Sequence, residues 1–133
     1  MIYVNKRGWR ADLSWVKKLG KIIRRQFKVE KDVSLALVSD KEIRSLNKVY
    51  RRHNKVTDVL SFAWQDKNFL GEVVICPTQA KRQAIQQQHS LSKELKILTI
   101  HGILHLLGFD HERNKAQFKK QSDWEAKILK LLN

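Results

Sequence analysis

Three histidines, His101, His105 and His111, are spaced so that they could hold one metal ion. Residues four apart on an α-helix lie about 40° apart in projection and one turn along the axis, so His101 and His105 point from one helix face. Gly108 would end this helix and reverse the chain, which returns His111 as a third nitrogen ligand. Three protein ligands leave the fourth position of a tetrahedral ion open to water, as in catalytic sites. The spacing therefore predicts a catalytic metal centre.

One zinc ion is the metal that this ligand set favours, although three imidazoles also suit nickel, copper or iron. The alternative is three unrelated histidines, each hydrogen-bonded in the core or exposed to solvent. Two unpaired imidazoles buried on an apolar helix would cost about 1 to 3 kcal/mol each, which argues against that alternative.

Gly102 separates this motif from a familiar class of peptidases. The spacing His-x3-His-x2-Gly-x2-His equals that of the metzincins, but Gly102 stands where their catalytic glutamate belongs. Without that carboxylate the usual general base for peptide hydrolysis is missing. The motif therefore indicates a metal site and argues against ordinary proteolysis.

The chain carries a large excess of positive charge. Its 27 Lys and Arg residues against 13 Asp and Glu residues give a formal net charge of +14. Such an imbalance in a small domain favours a polyanionic partner, most commonly nucleic acid, over an anionic membrane surface or simple solubility. One predicted helix has a basic face that could follow phosphates or could simply be solvated, formed by Lys17, Lys18, Lys21, Arg24, Arg25 and Lys28.

The pattern of apolar residues predicts one domain over residues 1–133, with helices and strands alternating in its first half. We predict a strand over 2–5, a helix from Asp12 through Phe27, a strand over 33–38, a helix from Ser39 or Asp40 to about Tyr50, strands over 58–64 and 71–76, and helices over 77–88, 90–107 and 116–132. The two later strands should form an antiparallel hairpin, because the loop between them is too short for a helix. The helix over 90–107 is apolar nearly all round in its second half, which predicts burial. The last helix should turn Phe118, Trp124, Ile128 and Leu131 toward the core.

Cys76 is the only cysteine, so no intrachain disulfide can form and a reducing compartment is expected. No stretch approaches the roughly 18 to 20 consecutive apolar residues of a membrane span. We expect a soluble, cytoplasmic protein with no membrane association.

Further motifs accompany the histidines. They are His101-Gly102-x-Leu104-His105-Leu106-Leu107-Gly108-Phe109-Asp110-His111, Leu46-Asn47-x-x-Tyr50-Arg51, Thr57-Asp58-Val59-Leu60-Ser61-Phe62 and Leu70-Gly71-Glu72-Val73-Val74-Ile75. With them the sequence resembles the YbeY family of bacterial endoribonucleases from about residue 40 to 112. It departs from the family pattern at several positions: Val56 replaces a usual Pro, Arg52 a common Gly and Glu72 a common Asp, and the loop over 65–69 is short.

The resemblance implies an α/β fold with a small mixed four-stranded sheet covered by helices, and a central buried helix carrying His101 and His105. It further implies zinc on the three histidines and a functional arginine at Arg51. The implied activity is single-strand-specific RNA cleavage in rRNA maturation, including the 16S rRNA 3′ end, and in ribosome quality control. The expected partners are ribosomal RNA and the small ribosomal subunit, and we expect a monomer.

Several polar residues could assist such chemistry. Arg51 could grip a phosphate through two parallel hydrogen bonds and stabilise charge in the transition state, or could be one more basic surface residue. Asp110 and Glu112 flank His111, and Asp110 could be a general base or could fix a histidine tautomer. Asp58 and Ser61 could approach the site or could terminate and cross-link the sheet.

Two further functions are compatible with the sequence. The first is a ribosome-binding assembly factor with a structural metal and little nuclease activity. The second is a peptidase with a displaced base, for which the sequence supplies no carboxylate at Gly102.

Overall fold

A four-stranded mixed sheet lies at the centre of the computed structural model, which describes residues 1–133. In chain order the elements are β1 (Ile2–Asn5), α1 (Val16–Phe27), β2 (Asp32–Leu37), α2 (Asp40–Arg51), β3 (Val59–Ala63), β4 (Phe69–Ile75), α3 (Pro77–Gln87), α4 (Leu91–Leu106) and α5 (Lys115–Leu132). The predicted small α/β domain is thus confirmed. None of its helices combines the length and apolar character needed to cross a lipid bilayer.

The strands are arranged in the order β1-β2-β4-β3. β1, β2 and β4 run parallel, whereas β3 pairs antiparallel with β4 along one edge, with Ser61 opposite Val73. The predicted hairpin is therefore confirmed. Because β2 and β4 are parallel, their amino ends meet at one end of the sheet, beside the β3–β4 turn.

Two hydrophobic clusters hold helices against the sheet. The larger one packs α1, α4 and α5 together, with α4 lying against β3 and β4 and with Leu35, Ile103 and Leu104 fully buried. The smaller one joins α2 to the opposite face through Ile43, Val74 and their neighbours. Burial of these apolar side chains, worth about 1.5 to 3 kcal/mol each, fixes α4 and the end of α2 on either side of β3.

α1 begins at Val16, four residues later than the predicted start at Asp12. The Asp12 carboxylate accepts a hydrogen bond from the backbone N–H of Ser14 at 3.0 Å, and the Trp15 indole donates to the Asp12 carbonyl at 3.0 Å. These local bonds close a turn in place of the first helical turn. The predicted apolar face is confirmed from Val16 onward.

α5 presents only part of the predicted face to the core. Phe118 is 57% exposed and Leu131 is 42% exposed, so both predictions were wrong, whereas the predictions for Trp124 and Ile128 are confirmed. The fully or nearly fully buried positions of α5 are Gln121, Ile128 and Leu132. The helix is rotated so that Gln121 reaches the histidine region beside α4, where its amide finds hydrogen-bond partners that an apolar side chain could not supply.

Candidate metal centre

α4 carries two of the three predicted ligands. The Ser90 side chain caps its first turn by accepting the Lys93 backbone N–H at 3.1 Å, as predicted for residue 90. The second half of α4 is buried against the sheet, and the predicted central helix is confirmed. His101 is half-buried and His105 is exposed, and both face the open side of this helix.

A cavity of about 510 Å³, which we call the histidine cavity, lies between α4, β3 and the end of α2. Its lining residues are Tyr50, Arg51, Val59, Leu60, Ser61, Phe62, Ala63, His101, His105, His111 and Glu112. The fold thus brings all three predicted histidines and Arg51 to one cavity, although 60 residues of sequence separate Arg51 from His111. Asp58 and Asp110 do not line it.

His111 returns to the site through a glycine turn. Gly108 has a φ of +101°, and the N–H of Phe109 donates to the carbonyl of Leu104 at 3.1 Å, which closes the end of the helix as predicted. The imidazole rings of His101 and His111 then lie 4.9 Å apart between centroids.

Two α5 side chains that the sequence analysis missed hold His101 in place. Nδ1 of His101 lies 2.7 Å from Oε1 of Glu125, and this hydrogen bond raises the pKa of His101. Gln121 contacts both residues through its side-chain amide. Nε2 of Gln121 donates to the same Glu125 oxygen at 3.2 Å, and Oε1 of Gln121 accepts the backbone N–H of His111 at 3.0 Å. A carboxylate on Nδ1 fixes the tautomer and leaves Nε2 as the donor atom for a metal, which is the usual arrangement behind a metal-binding histidine.

The other two imidazoles also suit a metal. Nδ1 of His111 is buried with no hydrogen-bond partner, an arrangement that a bound cation would relieve. Desolvation lowers the pKa of His105, which favours the neutral form that binds metals. In this arrangement no three His, Cys, Asp or Glu side chains stand close enough together to hold a metal ion.

The carboxylate of the cavity is Glu112. Its Oε1 lies 3.8 Å from Nε2 of His111 and its Oε2 lies 3.9 Å from Nη2 of Arg51. The Asp110 carboxylate instead accepts the backbone N–H of Glu112 at 3.1 Å and so shapes the turn that carries Glu112. The predicted catalytic role of Asp110 stays a prediction.

β3 contributes structure more than chemistry. The Asp58 carboxylate accepts the Val59 backbone N–H at 2.8 Å and the Gln83 side-chain amide at 3.0 Å, and so holds the start of the strand. The Ser61 hydroxyl donates to the carbonyl of Gly102 at 3.1 Å while it also lines the cavity. β3 is thereby cross-linked to α4 beside the histidines.

Gly102 lets α4 approach β4 closely. A Cβ at this position would lie 2.7 Å from Cγ1 of Val73 and 3.1 Å from Oγ of Ser61. A glutamate in place of Gly102, as in the metzincins, would clash with the same Val73 and Ser61 side chains. The close packing of α4 on β4 therefore explains why position 102 holds a glycine instead of the glutamate that ordinary peptidase chemistry needs.

We expect Gly102→Ala to lower the free energy of unfolding by about 1 to 3 kcal/mol, because the methyl group overpacks this contact. Gly20→Ala is the matched control: it is also a helical glycine, but its Cβ would meet Ile2 at 3.7 Å, an ordinary contact. Gly20→Ala should raise the free energy of unfolding by up to about 1 kcal/mol through helix propensity. Urea unfolding followed by circular dichroism measures both, and equal effects of the two changes would refute the close approach.

Known proteins share the fold of this chain, and their sequence similarity covers more of it than the motifs do. A sequence model of the family described as "Endoribonuclease YbeY" matches residues 5–133, well beyond the motifs that end at about residue 112. The chain is 44% identical to the endoribonuclease YbeY of Aquifex aeolicus over 106 residues, covering 77% of this chain and 71% of that protein. It is 35% identical to that of Staphylococcus carnosus over 130 residues, covering 86% and 84%. The solution structure of TM1509 from Thermotoga maritima is similar with a TM-score of 0.66 and 30% identity, covering 96% of this chain and 89% of that one.

Proposed function

This chain belongs to the YbeY family of endoribonucleases, and from that membership we propose that it is a metal-dependent enzyme that cleaves single-stranded RNA in the histidine cavity. The observation that carries the proposal is the meeting of His101, His105 and His111 with Arg51 around one cavity of a strongly basic chain. Imidazoles suit a divalent metal, and a guanidinium suits a phosphate.

The donor set and its surroundings support one zinc ion, with nickel or another divalent metal as an alternative. Glu125 orients His101, and Nδ1 of His111 has no partner within the protein. When bound, such an ion supplies a Lewis acid that polarises a phosphate oxygen and lowers the pKa of a water ligand toward about 7.

Arg51 and Glu112 are the chain's own groups beside the reacting phosphodiester. The Arg51 guanidinium faces the Glu112 carboxylate at 3.9 Å. We propose that a substrate phosphate replaces this weak contact and receives two parallel hydrogen bonds from the guanidinium. Glu112 is then free to accept the proton of the attacking water or 2′-hydroxyl, and Asp110 positions it through the turn.

The biological setting is the finer part of the proposal. We propose that the substrate is ribosomal RNA, including the 16S rRNA 3′ end, and that the enzyme acts as a monomer on the small ribosomal subunit in the cytoplasm. The basic face of α1 supports a large polyanion, and the buried, unpaired Cys76 is compatible with a reducing compartment.

Cleavage of ribosomal RNA tests the enzymatic proposal directly. Purified protein incubated with ribosomal RNA should produce discrete fragments, and both chelation and His101→Ala should abolish them. Restoring zinc to the chelated wild type should restore cleavage, which separates metal loss from unfolding. Cleavage that survives both treatments would overturn the proposal.

A further inference from the structure

A second, larger cavity carries a concentration of positive charge away from the histidines. It measures about 940 Å³, and its lining residues are Lys21, Arg24, Arg25, Lys28, Val29, Glu30, Lys31, Lys67 and Asn68. Six of these nine side chains are cationic, and Glu30 is the single carboxylate, paired with Arg24 at 2.8 Å. We call it the basic cavity. Its composition fits a chain of phosphates better than a neutral or cationic ligand.

The fold places the basic cavity at the end of the sheet where β2 and β4 begin. The backbone N–H of Asp32 donates to the carbonyl of Asn68 at 2.8 Å, which ties the loop after α1 to the β3–β4 turn. Lys28, at the carboxyl end of α1, adopts a left-handed backbone with a φ of +53°. Cations from three separate segments therefore converge at this end.

The β3–β4 hairpin connects the basic cavity with the histidine cavity. Phe62 and Ala63 line the histidine cavity, and Lys67 and Asn68, a few residues later, line the basic cavity. On the other side, the loop after α4 packs on the end of α1, because the ring of Phe109 contacts that of Phe27 at 6.0 Å between centroids. The β3–β4 hairpin thus contributes residues to both cavities, with the turn over 64–66 between the two sets of lining residues.

Trp64 is the first residue of the β3–β4 turn, and much of its side chain is exposed to solvent. It is 60% exposed, whereas Trp15 is 8% exposed. The ring of Phe69 supports it edge-on at 5.5 Å. In the chain, Trp64 follows residues 62 and 63, which line the histidine cavity, and precedes residues 67 and 68, which line the basic cavity. An exposed, supported aromatic ring is a surface on which unpaired bases stack.

We propose that single-stranded RNA leaving the histidine cavity crosses the β3–β4 turn, stacks a base on Trp64 and places its following phosphates in the basic cavity. This inference rests on the proposed function and adds the path of the flanking RNA to it. A cluster of cations alone would also suit an anionic lipid surface. The exposed tryptophan and the single hairpin that lines both cavities favour RNA, because a base presents an aromatic face and one strand can span both sites.

The test compares binding of short and long RNA. Fluorescence anisotropy is measured with labelled single-stranded RNA of about 4 and about 12 nucleotides, lengths within the range of known single-strand sites. The variants are Arg25→Gln/Lys28→Gln/Lys67→Gln and Trp64→Ala. The matched control is Lys41→Gln/Lys81→Gln/Lys93→Gln, which removes the same charge from exposed positions toward the other end of the sheet.

We expect wild type and the control variant to bind the longer RNA more tightly than the shorter one. In the basic-cavity variant, the preference for the longer RNA should be at least about tenfold smaller than in wild type. A plot of the logarithm of its affinity against the logarithm of the salt concentration should be less steep by about 2, because three phosphate contacts are lost. Trp64→Ala should weaken binding of the longer RNA about tenfold.

Three outcomes would overturn the inference: an unchanged preference in the basic-cavity variant, an equal loss in the control variant, or a loss of binding to anionic phosphatidylserine vesicles without any loss of RNA binding. Failure of the proposed function is distinguishable, because wild type would then bind RNA but leave it uncleaved.

Discussion

Replacing His105 with alanine should abolish metal binding and leave the fold intact. His105 is exposed where it lines the histidine cavity, so its removal opens no cavity in the core. Loss of one of three imidazoles should lower zinc affinity by more than the roughly 10- to 100-fold that follows loss of a supporting partner. After dialysis against trace zinc, elemental analysis should find about one ion per wild-type chain and almost none in the variant.

His53→Ala is the matched control for this measurement. His53 is also exposed but does not line the histidine cavity, so its removal should leave the zinc content at the wild-type level. Circular dichroism should show the same helix content in all three proteins. A His105→Ala chain that retains a full equivalent of zinc would refute the three-histidine centre, and equal zinc loss in both variants would place the metal elsewhere.

The ligand set could be proposed from the sequence because its geometry is local. His101 and His105 share a face through helical periodicity alone, and Gly108 marks the reversal that returns His111. The residues that support these histidines could not be predicted in the same way, because their contacts depend on tertiary packing. Glu125 meets His101 only because α5 packs along α4, and nothing in the spacing of 24 residues between them specifies that contact.

The errors have the same origin. Gln121 occupies a buried face of α5 that a reading of apolar periodicity assigned to Phe118 and Leu131. A buried glutamine is stable there only because the histidine region supplies its hydrogen bonds, and that region is assembled by tertiary structure. Likewise, Asp110 and Glu112 are equivalent in sequence as neighbours of His111. The turn alone decides that Glu112 lines the cavity.

Arg51 could be singled out from its neighbours only through family resemblance, and the structure now makes that choice testable. Arg51→Ala should lower kcat/KM for RNA cleavage by about 100- to 1,000-fold, the usual cost of losing one preorganised donor to a developing charge. Zinc content should not change, because the guanidinium is no metal ligand. Arg51→Lys should recover only part of the rate, since an ammonium cannot make two parallel hydrogen bonds.

Arg52→Ala provides the control for Arg51→Ala, because it removes an equal charge from the adjacent position, which is exposed and does not line the cavity. It should cleave at close to the wild-type rate. The same pair decides between the enzyme and an assembly factor with a structural metal. If Arg51→Ala sustains normal growth of cells lacking the native protein, while loss of the basic face of α1 does not, RNA binding rather than cleavage is the essential activity. If growth instead falls with the cleavage rate across Arg51→Ala and Arg51→Lys, the reaction itself is what the cell requires.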